Sequence, residues 1–129
     1  MGQNKLYCLE LKSGHGDTGP AWISHVQASK SGRTLYFNGR ALKRLVGGGI
    51  SGNYYCLETN DEYWVSGVKK NGQDRHWAGS GPVMIDSRAV ADYLKYRGID
   101  RLDPTQHTVV TDIKETDISR LGDLENKTL

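Results

Sequence analysis

Two aromatic, β-branched runs about one polar triplet constrain this chain more than any other feature. Residues 53–58 (NYYCLE) and 62–69 (EYWVSGVK) flank Thr59-Asn60-Asp61. Strand-forming residues on both sides of a short turn specify a β-hairpin. Alternation along each arm splits Tyr54 from Tyr55 and Tyr63 from Trp64, so that one face supplies core and the other is left partly exposed.

The same grammar continues on both sides of the hairpin. Residues 5–12 (KLYCLELK) alternate, with Tyr7, Leu9 and Leu11 on one face. Residues 13–20 (SGHGDTGP) form a loop. Residues 22–28 read as a second strand with Trp22, Ser24, Val26 and Ala28 on one side. Residues 34–37 (TLYF) make a third, and Asn38-Gly39 is a strong turn dipeptide. Residues 40–46 (RALKRLV) read as a helical turn or a loop, and the glycine-rich residues 47–52 as a flexible loop. Short strands are also expected near residues 74–77 and at 83–85. One helix stands out over residues 87–97. Asp86 or Ser87 can cap it, Ala89, Val90, Tyr93 and Leu94 supply an apolar stripe, and Gly98 suits the position just past its end.

With 129 residues, 16 of them glycine and only 3 proline, the chain has the size of one domain built from short strands and tight turns. The expected fold is mainly β (α+β). It is a small, strongly bent antiparallel sheet or SH3-like half-open barrel, with one packed helix near 87–97. Residues 1–98 form the β-rich domain. Residues 99–129 form an acidic, partly ordered C-terminal extension, with a strand pattern at 108–113.

Charge follows that division. Residues 1–99 carry 13 Lys/Arg against 8 Asp/Glu, and residues 100–129 carry 4 against 7. No apolar run approaches the ~20 residues that cross a bilayer. Met1-Gly2-Gln3-Asn4-Lys5 leads into a strand-like run rather than a signal peptide, so the expected location is the cytoplasm, without a membrane partner. Cys8 and Cys56 are expected as buried thiols; the sequence does not say whether they meet.

Two clusters point to ligands. The first, residues 69–77 (KKNGQDRHW), puts Lys69, Lys70, Arg75 and His76 beside the indole of Trp77, a set suited to holding a phosphate and stacking a base. The second is the basic stretch from Lys30 to Arg44, which contains Arg33, Arg40 and Lys43 and no acid; Arg40, Lys43 and Arg44 are its candidate ligand-binding residues. Neither the glycines at 47–49 nor His15 and Asp17 complete a phosphate loop, a metal set or a nucleophile triad. No catalytic residue, metal or cofactor is therefore assigned.

The segments SGHGDTGPAWI (13–23), SKSGRTLYFNGR (29–40), GNYYCLE (52–58) and EYWVSGVKKNGQDRHW (62–77) carry a resemblance over a little more than half of the chain. It resembles a family of small bacterial proteins, members of which carry the label 1-deoxy-D-xylulose-5-phosphate synthase. The resemblance implies no particular site residue. The Gly-Asp-Gly with a distant Asn that marks thiamine-diphosphate enzymes is not in this sequence.

The function expected from the residues is a small non-enzymatic binding module, with a nucleic acid or a protein as partner. The alternatives are a site for a phosphorylated or nucleotide-like small molecule around Arg75, His76 and Trp77, with catalysis left open, and an accessory or regulatory assembly protein. The oligomeric state is open, a homodimer included.

Overall fold

The structure, a computed structural model, describes residues 5–12, 19–29, 33–45, 53–70 and 82–114. Eight strands follow in order: β1 (Lys5–Leu11), β2 (Ala21–Ala28), β3 (Thr34–Phe37), β4 (Arg40–Arg44), β5 (Tyr54–Cys56), β6 (Glu62–Gly67), β7 (Val83–Asp86) and β8 (His107–Val110). Between β7 and β8 a 3-10 turn, Ser87–Ala89, runs into helix α1 (Val90–Arg97).

The first six strands close into an antiparallel barrel. Its order is β1-β6-β5-β4-β3-β2, and β2 pairs back onto β1 from Lys5↔Val26 to Glu10↔Ala21. The expected small β barrel with one packed helix is the fold that forms. β2 also forks. Its C-terminal Gln27 and Ala28 pair with β3, while Trp22 and Ile23 pair in parallel with β7. β8 then lies parallel to β7.

Period-two alternation gives β1 and β2 an apolar residue on each face, and so two cores. Leu9, Val26, Leu35, Leu42, Cys56 and Val65 fill the barrel, with Tyr7, Trp22 and Ala28 packed against them. Cys8, Ala21 and Ile23 point the other way, onto Val83, Ile85, Ala89 and Tyr93 under α1. Both cysteines are buried and free, one in each core. On the outer face of β1, Glu10 and Lys12 form a buried ion pair at 3.2 Å.

Residues 40–46, expected as a helical turn or loop, instead begin as strand β4. Asn38 and Gly39 both take positive φ, 52° and 74°, as a type I′ turn requires. That turn folds the chain straight back on β3, with Leu35 opposite Leu42. Burial of Leu42 inside the barrel then outweighs the weak helical pattern of a short segment. The central hairpin has a shorter first arm and a longer connection than expected, residues 57–61 in place of 59–61. β5 stops at Cys56 rather than Glu58, the Asn60 N–H donates to the Cys56 carbonyl at 2.8 Å, and Asn60 takes φ 63°.

The helix begins where expected. The Asp86 carboxylate accepts from the Arg88 N–H at 3.1 Å, and Gly98 closes the other end at φ 68°. Its first turn is 3-10 rather than α. The segment beyond residue 99 contributes to the same fold through β8 and through Ile113, which is 8% exposed within the barrel core. Arg88 Nη2 donates to the Ile113 carbonyl at 3.0 Å, and the Lys114 N–H donates to Asn38 Oδ1 at 2.9 Å.

Asn53 ties the start of β5 to β6 with a side chain that imitates a strand. Its Nδ2 donates to the Val65 carbonyl at 2.8 Å, and its Oδ1 accepts from the Val65 N–H at 2.7 Å. Asn53→Ala removes both bonds beside the barrel core and is expected to cost about 1–3 kcal/mol. A urea midpoint unchanged from the parent would show that these bonds contribute nothing net.

Candidate functional site

The antiparallel register decides which strand ends meet. At one end of the barrel lie the C-terminus of β3, the N-terminus of β4 and the Asn38-Gly39 turn. Ile113 and Val110 pack into the core there, beside Trp22 and Phe37, whose rings are 5.8 Å apart. This end is stoppered by apolar side chains.

The other end gathers the N-termini of β1, β3 and β5 with the C-terminus of β4. Inward alternation brings Tyr7, Arg44 and Tyr54 to it. Arg44 stands directly opposite Tyr54, and Tyr54 directly opposite Tyr63. Tyr7 and Tyr54 are half-buried and Arg44 is exposed. Burial pushes the Tyr54 phenol up from its ordinary value, and the Arg44 charge partly opposes that rise. Tyr7 also acts on the same phenol, so the three side chains share one neighbourhood. Exposed Lys5 and Arg33 complete the rim, the Arg44 N–H donating to the Arg33 carbonyl at 2.8 Å.

The basic stretch is thereby divided. Arg40 and Arg44 share the inward face of β4 but stand at its two ends, roughly 13 Å apart along the strand. Arg40 belongs to the stoppered end, where its Nη1 donates to Cys56 Sγ at 3.9 Å. Burial raises the neighbouring Tyr63 phenol, and Arg40 opposes it. Lys43 lies on the outer face, directly opposite Tyr55. Lys69 and Lys70 lie past the end of β6 on the α1 side, with Lys70 Nζ 5.8 Å from the Tyr96 ring centroid. Arg75, His76 and Trp77, with the small-molecule site expected around them, lie outside the described residues.

Sequence reading grouped Arg33 with Arg44 in one basic stretch but missed Tyr7 and Lys5 at the same end of the barrel. The signal for Tyr7 was present in its alternation with Leu9 and Leu11, but nothing local says that residue 7 faces residue 54. A concavity of about 440 Å³, open to solvent, is bordered by Arg101, Leu102, Asp103 and Pro104. The Asp103 carboxylate is engaged there by the Thr105 hydroxyl and N–H, which hold it below the usual carboxylate range. Among the described residues no group of three His, Cys, Asp or Glu side chains could hold a metal ion. No described helix is long and apolar enough to cross a membrane.

Compared with protein-family models, curated proteins and solved structures, the chain finds no match.

Proposed function

We propose that this protein is a small non-enzymatic module that binds nucleic acid at the end of its barrel opposite the apolar stopper. The observation that carries the reading is the convergence of Tyr7, Tyr54 and Arg44 there, with Lys5 and Arg33 on the rim. Cations attract the phosphate backbone and aromatic faces stack bases, a combination that serves any sequence. Small β barrels bind ligands at their mouths, and here the opposite mouth is filled.

Salt dependence tests it. Three phosphate contacts, from Lys5, Arg33 and Arg44, give a log–log slope near −2 for a single strand. Affinity for a labelled oligonucleotide, read by anisotropy, is then expected to fall roughly twentyfold between 50 and 200 mM salt. Arg44→Ala is expected to shallow that slope by about 0.7. A binding curve indifferent to salt removes nucleic acid as the ligand and leaves a protein partner as the reading to pursue.

A further inference from the structure

We propose that the outer edge of β8 is a self-association surface, on which a second copy of this chain lays its own β8 antiparallel across a twofold axis through Val109. Pairing of β1 with β2 closes the barrel and removes its edges. β8, in contrast, ends the sheet, with β7 on one side and no strand on the other among the described residues. The Val83 N–H donates to the Gln106 carbonyl at 2.9 Å, and Val83 stands opposite His107. A parallel ladder of that phase turns the backbone groups of Gln106, Thr108 and Val110 toward β7. Val109 lies between two of these, so its N–H and C=O both point away from β7. Neither has a partner among the described residues. Val109 is 51% exposed, and Thr108 and Thr111 are exposed beside it.

A residue with both backbone groups turned outward is its own complement. With two copies antiparallel about Val109, each Val109 N–H donates to the other's Val109 C=O, a hydrogen-bonded pair with Cα atoms about 5.5 Å apart. Each exposed valine then covers the other. The flanking register sets Thr108 opposite Val110 of the second copy and Gln106 opposite its Asp112, so no like charges face each other over residues 106–112. Edges that resist pairing carry lysine, proline or a bulge. β8 has none of these, and its two exposed residues, Thr108 and Val109, are both β-branched. This match of the segment to itself is what favours a second copy over a foreign strand. The contact is only four residues long, which places it in the weak, transient class of interface.

The test is sedimentation equilibrium of the full chain. Between about 10 μM and about 1 mM its mass is expected to rise from monomer toward dimer, half-way on the order of 100 μM. Val109→Lys sets two ammonium groups face to face at the centre of the pairing and is expected to weaken association at least tenfold. Val109→Pro deletes only the outward N–H, which an edge strand tolerates, and is expected to weaken it likewise. Thermal melts establish that both variants are folded, and cross-linking carries the test if they are not. Under a mild thiol oxidant, Val109→Cys is expected to give a disulfide-linked dimer, because a Cα separation of about 5.5 Å lies within disulfide reach. Thr111→Cys shares that face but stands four residues out of register with its own copy, roughly 13 Å away, and is expected to stay unlinked. Cys8 and Cys56 are buried and do not compete. A mass that stays monomeric at about 1 mM overturns the proposal and leaves the edge to a strand from a different protein. Association that Val109→Lys leaves unchanged also overturns it, as does a Thr111→Cys variant that links as fast as Val109→Cys.

Discussion

Tyr93→Ala is expected to lose about 3–5 kcal/mol of stability, out of a total that for a domain of this size is about 5–15 kcal/mol. Tyr93 is 0% exposed and lies at the centre of the core between the barrel and α1, among Ile23, Ile85 and Ala89. Its hydroxyl meets His107 Nε2 at 3.2 Å, and the two rings lie 5.3 Å apart. The Arg97 guanidinium sits 5.6 Å from the ring centroid on the same helix. Truncation therefore opens a ring-sized cavity and removes a buried partner of His107. The melting temperature is expected to drop on the order of 10–20 °C. Tyr93→Phe keeps the packing and loses only the hydroxyl, so its expected cost is about 1–3 kcal/mol. If the alanine variant melts within a degree or two of the parent, α1 is not seated on the barrel as described.

Ile113→Ala is the second large effect, expected at about 2–5 kcal/mol. Ile113 comes from the acidic C-terminal stretch, yet it is buried in the barrel core, in a cluster to which all six barrel strands contribute. Its carbonyl accepts from Arg88, and the next residue is held by Asn38. Loss of its side chain is expected to lower the midpoint of a single cooperative urea transition that involves the barrel itself. A cost under about 1 kcal/mol, or a separate early transition that spares the barrel, would show that this stretch is not part of the stopper. Ile113→Gln is a harsher version of the same experiment, because it puts an amide among apolar side chains.

How far the sequence could be read depended on whether the deciding interaction was local. Asn38-Gly39 announces its own turn, Gly98 its own cap, and the alternation in residues 5–11 and 22–28 assigns faces correctly. In each case the relevant energy lies within a few neighbouring residues. β4 was misread because its strand character comes from Leu35 and Cys56 on either side, not from its own composition. Ile113 carried no local mark of the core it completes. The candidate site shows the same division. Arg44 was legible as a basic residue, but its convergence with Tyr7 and Tyr54 exists only once β1, β6 and β5 are laid side by side. Arg40, an equally basic residue four positions earlier, was sent to the opposite end by the same strand.

The fork in β2 bears on how the chain assembles. One half of that strand's edge is claimed by β3, which follows almost at once in the sequence, and the other half by β7, which arrives much later. Nearby segments close loops cheaply and distant ones do not. The barrel is thus the platform onto which β7, α1 and β8 dock, and amide protons of that late-joining layer should exchange with solvent ahead of those in the barrel's own ladders.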